Sequence, residues 1–119
     1  MGIDPAVVFK TLVTRGASKG IYVFVVPVAL ELNLKAAARA VGEKSVEMIA
    51  VKEITPLTGY IRGGCSPIGM KKHYPTVVDE SARPLERMIV SAGRIGGQIE
   101  LAPGDLQKAT GCSFAAVAE

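Results

Sequence analysis

Short apolar runs separated by glycine-rich turns make up most of this chain, and few stretches have helical spacing. The run Ile21 to Val28 is almost continuously apolar and rich in β-branched residues, which predicts a strand buried on both faces. A second run, Thr11 to Thr14, precedes it across the turn Arg15 to Gly20, so the two are predicted to form a β-hairpin. A single helical turn is expected before them, at Ala6 to Lys10.

Helical spacing is clearest between Asn33, which suits an N-cap, and Gly42, which suits a C-terminal stop. Four apolar residues are predicted to share the buried face of this helix: Leu34, Ala37, Ala38 and Val41. The stretch Val51 to Leu57 is predicted to form one or two helical turns closed by Pro56. A third helix is expected to follow Pro103 and to end at Gly111.

The remaining predicted elements are short. They are strands at Ser45 to Ala50, Thr76 to Asp79, Arg87 to Ser91 and Gln98 to Leu101, a loop at Asp79 to Glu86, and a last element at Phe114 to Ala118. The turn Ala92 to Gly97 joins two of the strands into another hairpin. Strands outnumber helices and the connections are short, which predicts a mixed α/β (α+β) domain and not a doubly wound nucleotide-binding fold.

The stretch Gly59 to Pro75 shows neither the helical nor the strand spacing of apolar residues. It holds four glycines and two prolines, so it is predicted to be a shaped loop whose backbone N–H groups can approach a ligand. Positive charge accompanies it, on Arg62, Lys71, Lys72 and His73. A plain surface loop with solvated lysines is the alternative interpretation of the same residues.

Composition limits the class of protein. The 119 residues fit one domain over 1–119, and the net charge of +3 is compatible with a nucleic-acid or phosphate partner without requiring one. Two cysteines and one histidine predict neither a zinc site nor a disulfide framework, and the chain is interpreted as cytoplasmic. No signal peptide or membrane span is expected.

Three residues are candidates for chemistry on residue type alone. Cys65 and His73 form a conceivable nucleophile pair, although no sequence rule brings them together, and a half-buried structural thiol is the favoured interpretation of Cys65. Lys10 lies at the edge of an apolar run. It either holds an anionic or hydroxyl group of a ligand or extends into solvent.

A resemblance to a known family covers essentially the whole chain. The stretches that carry it are VFKTLV at 8–13, NLKAAARAVG at 33–42 with KSVEM at 44–48, TGYIRGGCSPIGMKK at 58–72, PTVVD at 75–79 and IVSAGRIGGQIELAPGDL at 89–106. They resemble the YbaK/EbsC-type aminoacyl-tRNA deacylases, which are related to the editing domain of bacterial prolyl-tRNA synthetases. The Cys-tRNA(Pro) deacylase branch is the most similar. This resemblance implies a mixed, mostly antiparallel sheet with flanking helices.

The resemblance also implies a site. Lys10 matches the family's essential lysine, which positions the 3′-terminal adenosine and its phosphate. Gly63 opens the GxxxP loop, whose backbone contacts the aminoacyl group and stabilises charge on the ester carbonyl. The implied substrate-binding residues are Tyr60, Gly64, Cys65, Ser66, Pro67, Ser91 and Gln98. Weaker tRNA contacts are expected from Arg62, Lys71 and Lys72. No metal, cofactor or side-chain nucleophile is expected, because water or a group of the substrate attacks the ester.

Three departures from the family pattern affect these expectations. Gln98 replaces an aspartate of several relatives, and an amide can hydrogen-bond but cannot act as a base. Cys65 stands where relatives are commonly aliphatic, which argues against a nucleophilic role. Relatives carry a further segment before the position of Met1, so an exposed strand edge, and with it a homodimer or a weakened pocket, is expected.

The predicted function is therefore trans-editing hydrolysis of mischarged tRNA, with Cys-tRNA(Pro) as the substrate. The expected partners are tRNA and prolyl-tRNA synthetase. A non-catalytic or truncated tRNA- or synthetase-binding module is the alternative. Whether Lys10 and the loop from Gly63 to Pro67 line one accessible cleft distinguishes the two.

Overall fold

The protein folds around a mixed β-sheet. The computed structural model describes residues 7–60, 66–70, 74–91, 93 and 97–119. Its strands are β1 (Phe9–Gly16), β2 (Ile21–Pro27), β3 (Val46–Met48), β4 (Thr76–Asp79), β5 (Met88–Ser91), β6 (Gln98–Leu101) and β7 (Ser113–Ala115). Its helices are α1 (Leu34–Val41), α2 (Val51–Thr58) and α3 (Pro103–Thr110), and a 3₁₀ turn spans Glu80–Ala82.

The main sheet has the strand order β3-β1-β2-β4-β7, and β5 and β6 form a separate two-stranded hairpin. Strand β1 is antiparallel to both β2 and β3, whereas β4 is parallel to β2 and β7. With the antiparallel β5–β6 pair, three of the five strand pairs in the described part of the chain are antiparallel. The prediction of a mixed, mostly antiparallel sheet with helices is confirmed.

Strand β2 is the centre of the core. The four residues from Val23 to Val26 are 0% exposed, so the prediction of burial on both faces is confirmed. Val25 packs on one face in a cluster that includes Met88 and Leu106. On the other face Phe24 and Val26 belong to a cluster with residues of α1. Because neighbouring residues of a strand face opposite sides, this single strand supports two apolar layers.

Helix α1 begins and ends where its sequence predicts. The Asn33 Oδ1 atom accepts a hydrogen bond from the Ala36 N–H at 3.0 Å, and Gly42 ends the helix with a φ of 73°. The predicted buried face is wrong at Leu34, which is 43% exposed. The helix packs against the sheet through Ala37 and Ala38, and its first residue extends past that contact.

The start of β1 differs from the prediction. Lys10 belongs to strand β1 and not to a helical turn, because Phe9 and Lys10 pair with Pro27 and Val26 of β2. The Val28 N–H donates to the Val8 carbonyl at 2.9 Å, so the pair Phe9–Pro27 is a non-hydrogen-bonded pair between β1 and β2. The missing N–H of Pro27 therefore costs no hydrogen bond to β1.

Helix α2 continues through Pro56 to Thr58 instead of closing at the proline. Its last turn is completed by the Thr58 hydroxyl, which donates to the Ile54 carbonyl at 2.7 Å. The Gly59 N–H donates to the Thr55 carbonyl at 2.8 Å. These bonds hold the turn of helix that follows the proline. No helix in the described ranges is long and apolar enough to cross a membrane.

Asp79 ties the end of β4 to the C-terminal segment. Its carboxylate is 5% exposed and accepts hydrogen bonds from the N–H groups of Val117 at 3.0 Å and Ala118 at 2.9 Å, and from Ser81 at 3.2 Å. Burial alone would raise the pKa of Asp79, but the hydrogen bonds from Ser81, Val117 and Ala118 outweigh it and hold the pKa below its ordinary value.

We expect Asp79→Asn to lower the free energy of unfolding by about 2 kcal/mol, because an amide places a donor against a backbone N–H and removes the charge. A depressed pKa stabilises the fold above the unfolded-state pKa of about 3.9, and this stabilisation is lost as the pH falls through the folded-state pKa. Urea unfolding between pH 3 and pH 7 should therefore show a flatter pH dependence for the variant. The exposed Asp105→Asn change is the control, and equal losses for both variants would contradict the assignment.

Candidate active site

A cavity opens where two strands separate. Strand β5 joins β1 through one isolated parallel bridge, between Val8 and Ile89. Continuing this register by two residues would pair Lys10 with Ser91, but the pairing stops before them. The gap forms a cavity of about 250 Å³. Its lining residues are Val8, Phe9, Lys10, Thr11, Val28, Ile89, Val90, Ser91, Gly97 and Gln98.

Three of the predicted site residues meet at this cavity: Lys10, Ser91 and Gln98. Lys10 comes from β1, whereas Ser91 and Gln98 are direct partners at the end of the β5–β6 hairpin where the turn joins the two strands. Paired residues on adjacent strands project to the same side of a sheet. The hairpin therefore delivers a hydroxyl and an amide together, and the bridge at Val8 brings them opposite the lysine.

Lys10 contributes a positive charge that is only weakly paired with another residue. Its Nζ atom lies 3.6 Å from a carboxylate oxygen of Glu31, whose side chain is 83% exposed, while the lysine side chain is 29% exposed. The Glu31 backbone is fixed by two hydrogen bonds with Glu119, at 2.9 and 2.8 Å. An ion pair this exposed to solvent is weak, so an anionic ligand can replace Glu31 as the partner of Lys10.

Ser91 and Gln98 supply neutral hydrogen-bonding groups. The Ser91 Oγ atom accepts a bond from the Gly93 N–H at 3.3 Å, which leaves its proton to be donated to a ligand. Gln98 is exposed at the first position of β6. Its amide both donates and accepts but does not ionise, so this wall of the cavity orients a substrate without changing charge.

Tyr60 lies outside the cavity. It connects the loop that follows Tyr60 in the chain to the β5–β6 hairpin. Its hydroxyl donates to the Ile68 carbonyl at 2.6 Å. Its ring lies so close to Gly93 that a Cβ atom there would be 2.8 Å from the ring Cε1. Ser66, 2% exposed, accepts a bond from the Ile68 N–H at 3.2 Å. Ser66 and Ser91 are therefore linked through one tyrosine.

Helix α2, which leads into Tyr60, is held against the sheet by an ion pair. Arg15 of β1 donates to both carboxylate oxygens of Glu53, at 2.8 and 3.3 Å. Glu53 also accepts the Ala50 N–H at 3.1 Å at the start of the helix. The hydrogen bond from Arg15, followed by that from Ala50, lowers the pKa of Glu53. The carboxylate thus stays ionised at neutral pH and keeps the helix in place.

Pro67 lines a second cavity of about 220 Å³. The other residues of its wall are Gly69, Met70, Tyr74, Thr76, Ala109 and Thr110. The other predicted residues of this stretch, Arg62, Gly63, Gly64, Cys65, Lys71, Lys72 and His73, lie outside the described residues. A single cleft formed by Lys10 and the loop from Gly63 to Pro67 therefore stays a prediction.

Metal and thiol chemistry find no support in the part of the chain that the structure describes. It contains no group of three or more His, Cys, Asp and Glu residues placed to hold a metal ion. Cys112 is buried, and burial raises the pKa of its thiol, which keeps it in the unreactive protonated form. The described chemistry at the cavity is therefore that of an ammonium group, a hydroxyl and an amide.

Comparison with known proteins identifies the family. The model of the aminoacyl-tRNA editing domain matches residues 1–109. The chain belongs to this family. It is 50% identical, over 98% of its length and 71% of the relative's, to EbsC of Enterococcus faecalis, which is named as a proposed Cys-tRNA(Pro)/Cys-tRNA(Cys) deacylase. The family predicted from the sequence is confirmed.

Two solved structures share the fold of this editing domain. One is described as a proposed trans-editing enzyme for prolyl-tRNA synthetase; it is 28% identical, with a TM-score of 0.91 over 99% of this chain and 74% of that one. The other, hypothetical protein APE2540, is 29% identical, with a TM-score of 0.91 over 99% of this chain and 78% of that one. The predicted editing-domain fold is confirmed.

Sequence reasoning missed Thr11 as part of the editing domain's cavity. Thr11 follows Lys10 in the motif VFKTLV, and this adjacency is the signal that was present. Its hydroxyl oxygen is buried and has no hydrogen-bond partner in the described part of the chain. By contrast, the hydroxyl of Thr14, three residues further along β1, donates to the Tyr22 carbonyl at 3.0 Å.

This pair of threonines yields a stability test. Thr11→Val should leave the free energy of unfolding unchanged or raise it, because the described residues offer this buried hydroxyl no hydrogen bond that the change could remove. Thr14→Val should lower it by about 1 kcal/mol, the net value of one hydrogen bond. Chemical denaturation of both variants measures the difference. A loss at Thr11 as large as that at Thr14 would mean that the Thr11 hydroxyl has a partner within the folded protein.

Proposed function

We propose that this editing domain hydrolyses the ester between a wrongly attached amino acid and the 3′-terminal adenosine of tRNA, with Cys-tRNA(Pro) as the substrate. The observation that carries the proposal is the 50% identity over 98% of the chain to EbsC, whose name gives that activity. The meeting of Lys10, Ser91 and Gln98 at one cavity supports it, because these groups can bind a phosphate, a ribose and an ester.

In the proposed mechanism Lys10 binds the phosphate of the terminal nucleotide. The lysine exchanges its exposed partner Glu31 for that phosphate. Ser91 and Gln98 hydrogen-bond the ribose or the α-amino group. The substrate is thereby oriented, which is a large part of catalysis when the target is already an activated ester.

Bond breaking then requires stabilisation of the carbonyl oxygen. A water oxygen attacks the carbonyl carbon, the bond from that carbon to the ribose oxygen breaks, and the ribose oxygen takes a proton. Backbone N–H groups of the loop from Gly63 to Pro67 are proposed to stabilise the negative charge on the carbonyl oxygen. Gly64, Cys65 and Ser66 are proposed to border the aminoacyl group.

The choice of a cysteinyl group is proposed from the name of EbsC, which gives Cys-tRNA(Pro). Cysteine and alanine differ by a single heavy atom, and a pocket contact of that size is worth only about 1–3 kcal/mol. Cys-tRNA(Pro) is therefore proposed as the better substrate and Ala-tRNA(Pro) as a slower one.

Prolyl-tRNA synthetase and a second copy of the chain are proposed partners, and the cytoplasm the proposed compartment. The similarity to a structure described as a trans-editing enzyme for that synthetase supports the first partner. Size-exclusion chromatography with light scattering tests both associations. A mass of 12.5 kDa at all concentrations, with no co-elution with the synthetase, would reject both.

The first catalytic test is Lys10→Ala. We expect deacylation of Cys-tRNA(Pro) to fall about 100-fold, because a mispositioned ester loses the benefit of orientation. The exposed helical substitution Lys35→Ala is the control for charge and should keep the wild-type rate. An unchanged rate in Lys10→Ala would remove this lysine from the site. Absence of any wild-type rate, with tRNA binding retained, would instead indicate a non-catalytic binding module.

A second test concerns the tRNA contacts. Neutralising Arg62, Lys71 and Lys72 together should weaken tRNA binding and flatten its salt dependence, because each lost phosphate contact lowers the slope of log K against log salt by about 0.7–0.9. Filter binding between 50 and 200 mM salt measures this slope. A triple variant with the wild-type slope would exclude these residues from the interface.

A further inference from the structure

Tyr60 is fixed at its base, at its hydroxyl and along its ring. Its N–H donates to the Thr58 hydroxyl at 3.1 Å, and its carbonyl accepts from the Thr55 hydroxyl at 2.9 Å. Both threonines belong to α2. The ring therefore starts from a helix end that has little freedom to move.

The hydroxyl end of Tyr60 fixes the loop. It donates to the Ile68 carbonyl at 2.6 Å, and the Ile68 N–H donates to the buried Ser66 hydroxyl at 3.2 Å. A Cβ atom at Gly69 would lie 3.0 Å from the tyrosine hydroxyl, so the loop backbone packs closely around it. The positions of Ser66 and Ile68 thus depend on one phenol oxygen.

The ring of Tyr60 fixes the opposite wall. Gly93 has a φ of 92°, and a Cβ atom built on it would lie 2.8 Å from the ring. The Gly93 N–H donates to the Ser91 hydroxyl at 3.3 Å. Any shift of the ring away from or into Gly93 therefore changes the orientation of the Ser91 side chain at the cavity.

We propose that Tyr60 is a positioning residue that sets the separation between the loop at Ser66–Ile68 and the cavity wall at Ser91. A tyrosine suits this role because its ring is rigid and has only two side-chain torsions. Its hydroxyl is bonded to the protein, so it acts through Ser91 and the loop and not by touching the substrate. This inference rests on the proposed deacylase function, because it assigns the residue a part in that reaction.

The first arm of the test compares two tyrosines. The Tyr74 hydroxyl donates to the Leu57 carbonyl at 2.7 Å, so Tyr60→Phe and Tyr74→Phe each remove one similar hydrogen bond. We expect Tyr60→Phe to lower kcat for Cys-tRNA(Pro) about 10-fold while KM changes less than about two-fold, because misplacement of groups around the ester lowers the chemical step. Tyr74→Phe should leave both constants near wild type despite a similar loss of stability.

The second arm compares two glycines with positive φ. Gly42→Ala and Gly93→Ala both place a side chain on a strained backbone, at φ values of 73° and 92° respectively. The added Cβ atom meets nothing within 4 Å at Gly42, whereas at Gly93 it collides with the Tyr60 ring. Only Gly93→Ala should lower kcat. Combined with Tyr60→Phe it should cost less than the product of the two single effects, because a ring without its hydroxyl bond to Ile68 can move aside for the added Cβ atom.

Each outcome has one meaning. An active wild type in which Tyr60→Phe matches Tyr74→Phe, or Gly93→Ala matches Gly42→Ala, overturns the positioning role and leaves the proposed function intact. A rise in KM with kcat unchanged would make Tyr60 a residue of uniform binding, which also overturns the positioning role. A wild type without deacylase activity refutes the proposed function, and the positioning role fails with it.

Discussion

The structure of the site depends on where hydrogen bonding between β1 and β5 stops. A sheet gains stability by pairing every backbone group, and continued pairing beyond Val8 and Ile89 would have drawn Lys10 and Ser91 together. The hairpin instead keeps its own antiparallel pairing and diverges, so polar side chains from three strands face a cavity. The scaffold around it is rigid because β2, which pairs with β1, is buried on both faces.

Charged side chains have different surroundings in the scaffold and at the cavity. The charge of Asp79 is buried and satisfied by three N–H groups, which makes it a structural anchor. By contrast, the Lys10 Nζ atom lies 3.6 Å from the solvent-exposed carboxylate of Glu31. The buried, hydrogen-bonded carboxylate of Asp79 therefore stabilises the fold, whereas the loosely paired ammonium group of Lys10 stays available to a ligand.

Local signals predicted the elements that they control. Asn33 and Gly42 define α1 through caps that lie within a few residues, and the apolar run of β2 requires burial wherever it lies. The strand position of Lys10 depends on pairing with Val26, and the length of α2 depends on side-chain bonds around Pro56, so neither followed from local propensity. At the site, the family motifs predicted that Lys10, Ser91 and Gln98 belong together. That the Thr11 hydroxyl lacks a partner among the residues the structure describes could not be predicted, because the partner of a side chain is decided by the tertiary structure.

The contact between Tyr60 and Gly93 has a consequence for how sequences of this family diverge. A ring at one position leaves no space for a side chain at the other, although the two are far apart along the chain. A larger residue at position 93 is tolerable only after position 60 has become smaller, and the change at position 60 releases the loop. The two positions should therefore covary among editing domains.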